Sequence, residues 1–316
     1  MKSKLKGLIA VVAASSLVLA GCSRGEGEDT ATGANGADSA EVGRVATMGL
    51  GDVDTVLALG ITPVAIATIG AEGDSGPKGV GPWAEDELGD ADPVQISGTG
   101  GGFTAEILEK LAATDPDQII AVNSAADETA KKDLNEIAPT TFHPDQYADW
   151  QVPWDVQIST IAEALGKEDQ GKELIEESKQ AFADFRDNHP ELQGKKAVAV
   201  MPYGGSLSLY APGDGRADFL KELGFEFPEE ITTDDGVFYK ELSAENYSEL
   251  DAADYVFILD YQGSAKELDD DSAFQNAAFT KEGKVVNLDT NTGNAMSMPN
   301  PLTIPWATDQ IKLALS

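Results

Sequence analysis

One uninterrupted helical stretch divides this chain of 316 residues. Glu168–Asn188 holds no proline, holds no glycine after Gly171, and stops before Pro190. On both sides of it, short apolar runs alternate with amphipathic segments. Before it, strands are expected at Val45–Met48, Val64–Ile69, Gln118–Val122 and Thr140–Phe142. The helices expected between and after them are Asp52–Leu59, Phe103–Ala113, Asp127–Ile137 and Trp154–Leu165. After it come strands at Ala197–Met201, Tyr255–Asp260 and Lys284–Asn287, and helices at Ala217–Leu223, Ala244–Leu250 and Ile304–Leu315. Strands joined by helices at this spacing predict mostly parallel sheets. The chain therefore reads as α/β: one lobe over 44–166, a connecting helix over 167–190 and a second lobe over 191–316.

The N-terminus reads differently. Lys2, Lys4 and Lys6 precede an uncharged apolar run, Leu8–Leu19, which is short for a membrane span. The run ends Leu19-Ala20-Gly21-Cys22, which resembles a bacterial lipobox. Such a signal implies cleavage after residue 21 and a diacylglyceryl group on Cys22. One acyl chain holds a protein only marginally, at roughly 0.8 kcal/mol per buried CH₂, so two or three chains of the palmitate type are expected. Ser23–Glu41 is Gly, Ala, Asp, Glu, Ser and Thr with almost nothing to bury, so residues 22–43 read as a disordered tether.

The formal charge is −33, and removing the three signal-peptide lysines makes the remainder more acidic still. That balance argues against nucleic acid and against broad adsorption to anionic lipid, leaving the anchor as the membrane contact. Cys22 is the single cysteine, so no disulfide framework is available. The two histidines, His143 and His189, lie far apart near loops and read as structural. No G-x-S-x-G, H-E-x-x-H, P-loop or EF-hand spacing occurs. Gly49-Leu50-Gly51-Asp52-Val53-Asp54 starts like a dinucleotide fingerprint, but Asp54 replaces the third glycine and would repel a pyrophosphate. It reads as a tight turn from strand to helix. These absences weigh against catalysis and against a protein-held metal.

Several segments, in this order behind a lipobox, carry a resemblance. Residues 44–60, beginning Arg44-Val45-Ala46-Thr47-Met48-Gly49, resemble the opening of iron-siderophore ABC-transporter substrate-binding proteins. Gly81-Pro82-Trp83 is similar to a signature of actinobacterial members. Leu108-Glu109-Lys110-Leu111 through Ile120 resembles the family's L-E-x-I-x-A-L-x-P-D-L-I segment, and Asn135–Thr140 its I-A-P-T corner. Asp115, Thr114 and Gln118 depart from that pattern. The resemblance implies two Rossmann-like lobes joined by one long interlobe helix, the class III periplasmic binding protein architecture, with a ligand in the cleft and little closure. It also implies a monomer that captures a ferric siderophore and delivers it to a permease dimer with its ATPase. One glutamate per lobe, Glu109 and Glu245, would pair with permease arginines. The plain alternative is that each favours a helix N-terminus. No cofactor is implied, because the siderophore carries the iron.

Ligands of such folds lie beyond the carboxyl ends of parallel strands. The loops expected there are 49–52, 71–83, 97–103, 123–124, 202–216, 237–239, 261–263 and 291–298. Their large aromatic and donor residues are Trp83, Tyr203, Tyr210, Arg216, Tyr239 and Tyr261. Aromatic walls would cover an apolar ligand periphery, and Tyr or Arg donors would bond metal-ligating oxygens. Trp83 also suits a lobe core, and Arg216 also suits a surface ion pair. Trp154 and Trp306 read as core. With only Lys78 and Arg216 as cleft cations, a neutral or cationic hydroxamate complex is expected over an anionic catecholate or citrate one. Competing readings are a corrinoid or haem receptor using His143, a lipid-anchored enzyme with clustered carboxylates, and a purely structural lipoprotein lacking a deep cleft.

Overall fold

The computed structural model describes residues 43–70, 75–233 and 237–316. The expected signal peptide, the lipid expected on Cys22 and, but for Gly43, the tether expected over 22–43 lie outside the described residues.

The first lobe is built on five parallel strands: β1 (Val45–Thr47), β2 (Ala65–Ala67), β3 (Val94–Ile96), β4 (Gln118–Ala121) and β5 (Thr140–Phe142). They run in the order β3-β2-β1-β4-β5. Val45, Ala46 and Thr47 are all buried, as a central parallel strand covered on both faces requires. Helices α1 (Asp52–Ala58), α2 (Glu85–Leu88), α3 (Ala105–Ala112) and α4 (Glu128–Ile137) connect the strands, and α5 (Trp154–Ala164) follows. Local chemistry sets the starts of the longer helices. Thr104 caps α3 by accepting from the Ile107 N–H at 3.4 Å, and Asp127 caps α4 by accepting from Ala130 at 2.8 Å. Ile107 and Leu111, four residues apart, then face the sheet.

The dividing helix α6 spans Glu168–Asn188, the bounds its sequence predicts. Its one glycine, Gly171, has a reason: a Cβ there would overlap Ala162 on α5. Toward its far end, Phe182 meets Trp154 of the first lobe at 6.1 Å and Phe219 of the second at 5.1 Å.

The second sheet is mixed rather than mostly parallel. Strands β6 (Ala197–Tyr203), β7 (Ser206–Tyr210), β8 (Tyr239–Leu242), β9 (Tyr255–Leu259) and β10 (Val285–Leu288) lie in the order β10-β9-β6-β7-β8. Strands β10, β9 and β6 pair in parallel, whereas β7 pairs antiparallel with both β6 and β8. The expected loop over 202–216 therefore contains a strand. Gly204 and Gly205 both take positive φ, at 62° and 83°, which closes a two-residue hairpin, and Ser206–Tyr210 alternates polar with apolar. Helices α7 (Gly215–Glu222), α8 (Ser272–Asn276), α9 (Ala278–Lys281), α10 (Thr290–Ser297) and α11 (Thr303–Leu315) complete the lobe. The expected helix over 244–250 is a 3-10 helix, Ala244–Ala252.

One apolar cluster crosses the lobe boundary. Val53, Leu57, Trp83 and Leu88 of the first lobe join Phe182 and Phe185 of α6 and Phe219, Ile304 and Ile311 of the second.

Candidate functional site

A cavity of about 390 Å³ opens between the lobes. Leu50, Ile69, Gly100, Asn123 and Trp150 form its first-lobe wall. Met201, Tyr203, Arg216, Phe238, Tyr261 and Met298 are prominent in the other. Leu50 follows β1 and Asn123 follows β4, at the point where the strand order of the first sheet reverses. There, connecting segments diverge to opposite faces and leave a crevice.

Of the six ligand-facing residues expected from sequence, Tyr203, Arg216 and Tyr261 line this cavity. The other three lie elsewhere. Trp83 is only 9% exposed; its indole N–H donates to Asp54 at 2.8 Å and its ring meets the edge of Trp306 at 5.4 Å. Gly81 exists beside it for space, since a Cβ would overlap that indole. Tyr210 is buried beneath Arg216, whose guanidinium carbon stands 4.0 Å from its ring centroid. Burial raises the Tyr210 phenol above its ordinary pKa, against the pull of Arg216. Tyr239 starts β8 outside the wall, and its neighbour Phe238 takes the lining place, with the rings 5.2 Å apart.

Sequence reasoning missed Trp150, in the loop after β5, although the strand-end rule extends to that strand too. It adopts φ 65°, rare for a side chain of this size. The expected loop over 291–298 is largely helix α10, which still sends Gly293, Asn294 and Ser297 to the cavity. Residues 71–74 of the expected loop over 71–83 lie outside the described residues.

Among the described residues, the charges at the cavity are Arg216, Asp214 and Asp260. The Arg216 Nη1 reaches both carboxylate oxygens of Asp214, at 2.9 and 3.2 Å. Burial holds the Asp214 carboxyl above its ordinary pKa, and the Arg216 charge opposes that rise. Asp260 accepts from the N–H groups of Gly263 and Ala265 and from the Thr290 hydroxyl. Lys78, the other cation expected at the cleft, donates to the Gly89 carbonyl and does not line the cavity.

The turn Gly49–Asp54 lies against the cavity. Asp52 accepts from the N–H groups of Val122 at 2.7 Å and Asn123 at 3.1 Å. A Cβ at Gly49 would overlap the Asp52 carboxylate, so only glycine leaves room for it. Gly51 takes φ 80° and lies against Met298 of the second lobe. Asp54 receives Trp83 and, from the second lobe, the Asn300 amide at 2.8 Å. Burial is the dominant influence on both carboxyls, pushing Asp52 up to about 7 and Asp54 up to about 6.

Away from the cavity, Glu109 and Glu245 are exposed and form no ion pair among the described residues. They are not equivalent in position. Glu245 is the second residue after Ser243, which begins its helix; the second residue after Thr104 is Glu106, one turn before Glu109. Glu106 pairs with Lys110 at 3.0 Å. His143 is outside the cavity wall, its Nε2 facing Asp149 at 3.0 Å.

Two α/β lobes, one connecting helix and a cavity across their seam define a two-lobed solute receptor of the class III periplasmic binding protein fold. The chain belongs to the periplasmic binding protein family, whose model matches residues 45–292. These proteins are non-enzymatic receptors. The chain is 28% identical to the Fe(3+)-citrate-binding protein YfmC of Bacillus subtilis, over 92% of this chain and 91% of that protein. Among solved structures it resembles a periplasmic solute binding protein from Mycobacterium smegmatis, with 28% identity, TM-score 0.75 and coverage of 86% of this chain and 91% of that one. It also resembles PiaA of Streptococcus pneumoniae in complex with ferrichrome, with 27% identity, TM-score 0.72 and coverage of 87% and 93%.

Proposed function

We propose that this chain is the substrate-binding component of an ABC importer, capturing a ferric siderophore between its lobes and delivering it to a membrane permease driven by its ATPase. The observation that carries this is the cavity wall. Leu50, Ile69, Met201, Phe238 and Met298 offer apolar cover, while Tyr203, Tyr261, Arg216 and Asn123 offer hydrogen-bonding groups among them. That mixture suits a bulky complex with an apolar periphery and a polar metal–oxygen centre. The siderophore keeps its iron, so the protein needs no cofactor of its own. The kinship with a ferric-citrate-binding protein and with a ferrichrome complex supports the same reading.

The charge at the wall favours neutral or cationic complexes. Arg216 is already paired with Asp214, and Asp260 adds a further carboxylate. A hydroxamate complex therefore fits better than a polyanionic citrate or catecholate one. Titration with ferrioxamine B, ferrichrome, ferric citrate and a ferric catecholate, followed by Trp fluorescence, tests both levels. Binding of the hydroxamates is expected. No binding of any complex would remove the siderophore reading, and tight binding of only the anionic ones would reverse the preference.

The same reading places the protein as a monomer on the outer face of the membrane, held through lipid on Cys22. The tether raises its effective concentration near the permease. Glu109 and Glu245 would register the two lobes on the two permease subunits, with Glu106 the alternative in the first lobe because its helix position matches that of Glu245.

A further inference from the structure

The segment Gly49-Leu50-Gly51-Asp52-Val53-Asp54 looks like an incomplete nucleotide fingerprint, and its two acids are buried and do not line the cavity. Each instead holds a residue of the cavity wall, and the two walls belong to different lobes. Asp52 binds the N–H groups at the end of β4. The Asn123 side chain then donates to the Leu50 carbonyl at 2.8 Å, and the Leu50 N–H donates back to the Asn123 carbonyl at 2.9 Å. Both residues face the cavity. Asp54 receives Asn300 across the lobe boundary. The same Asn300 amide reaches the Met298 carbonyl at 3.0 Å, and Thr303 donates to that carbonyl as well. Met298 forms part of the opposite wall.

We propose that Asp52 and Asp54 are positioning residues for the bound solute: from one helix they set the walls of both lobes in register, Asp52 through Asn123 and Leu50, Asp54 through Asn300 and Met298. Val53 between them packs into the shared core and does not line the cavity. Two residues of α1 thus couple the first-lobe crevice to the second-lobe turn. This rests on the cavity being the solute site.

The test uses the full chain with ferrioxamine B as probe. The variants are Asp54→Ala, Asn300→Ala, their double, Asp54→Asn, and Val53→Ala as a control that loses packing alone. Asp54→Ala and Asn300→Ala should each weaken binding about tenfold, and the double by no more than about twofold beyond either, because both remove one link. Asp54→Asn should stay within about twofold of the parent, since its amide oxygen still accepts from Trp83 and Asn300. Val53→Ala should lower the unfolding midpoint and leave affinity unchanged. Hydrogen exchange over residues 293–304, measured without ligand, should rise in Asp54→Ala and Asn300→Ala and not in Val53→Ala. Multiplicative losses in the double, or unchanged exchange and affinity in Asn300→Ala, would overturn the proposal. If the parent binds no ferrioxamine B, the solute assignment weakens, while the exchange arm still decides whether Asp54 holds the second-lobe wall. If Asp54→Ala fails to fold, Asn300→Ala in the parent and in Asp54→Asn decides the same point.

Discussion

The side-chain amide of Asn300 donates to the Asp54 carboxylate at 2.8 Å, and this bond crosses from the second lobe to the first in a region closed to water. Trp83 donates to the same carboxylate oxygen from a third segment. A buried acid with two donors is stabilised as an anion, yet here the loss of hydration outweighs them, and the carboxyl sits near 6.

Stability should therefore fall as pH rises. Asp52 and Asp54 have folded pKa values of about 7 and about 6, above the 3.8 of an unperturbed aspartate. The folded state holds their protons more tightly than the unfolded state does. The resulting stability is fully present below about pH 4 and is lost as pH passes through about 6 and then about 7. Urea midpoints at pH 5 and pH 8 measure this. Asp52→Asn should flatten the profile by on the order of 2 kcal/mol; an unchanged slope would contradict the burial argument.

Trp83→Phe keeps the ring but removes one of the two donors to Asp54. The expected cost is about 1–3 kcal/mol at pH 8, shrinking toward pH 5 as the carboxyl gains its proton. Equal costs at both pH values would mean that the ring's packing, not its N–H, supplies the stability.

Gly49→Ala puts a methyl where the Asp52 carboxylate lies and within 2.8 Å of the Asn123 N–H. Backbone, not a flexible tip, must move. Destabilisation of roughly 1–3 kcal/mol is expected together with weaker solute binding. Gly60→Ala separates the two effects, because its Cβ meets no neighbour within 4 Å while its φ of 75° carries a left-handed strain that Gly49 lacks.

Arg216→Met should act on two properties. It removes the ion partner of Asp214, leaving a buried carboxylate with only the residue-216 backbone N–H as donor, at a cost of roughly 1–3 kcal/mol near neutral pH. Adding Asp214→Asn should restore much of that stability without restoring affinity, if Arg216 also bonds the solute. Full recovery of affinity in the pair would limit Arg216 to the ion pair.

Replacing Glu245 together with either Glu109 or Glu106 by alanine should leave solute affinity intact and abolish uptake by whole cells. Comparing the two double variants decides which acid registers the first lobe. Normal uptake by both would end the docking assignment.

The sequence makes most of the first lobe legible because its signals are local; the three-residue edge strand β3, partly exposed and carrying Gln95, is not among the expected strands. Thr104 and Asp127 cap their helices in place, Pro139 ends α4, and β1 and β4 are mostly apolar and almost wholly buried. The bounds of α6 follow from an absence of breakers. The second sheet is harder, since β7 and the edge strand β8 are short and their polar faces resemble loops. The Gly204-Gly205 pair marks that hairpin, yet read with the prolines around it the segment passes for a long loop. At the cavity, strand-end reasoning finds the loops but not which side chain turns inward. Trp83 turns away because Asp54 offers it a buried acceptor, and that pairing joins residues far apart in the chain.

The apolar cluster that runs from Val53 and Leu57 through Phe182 to Ile304 makes the two sheets one cooperative unit. Cutting the chain between them would expose Trp83 and Leu88 on one fragment and Phe219 and Ile311 on the other. Neither half is then a module that can be exchanged with a relative's, and a chimera with its junction within α6 would need both faces of that core from the same parent. A single melting transition, unsplit by denaturant, is the thermodynamic mark of such an inseparable pair.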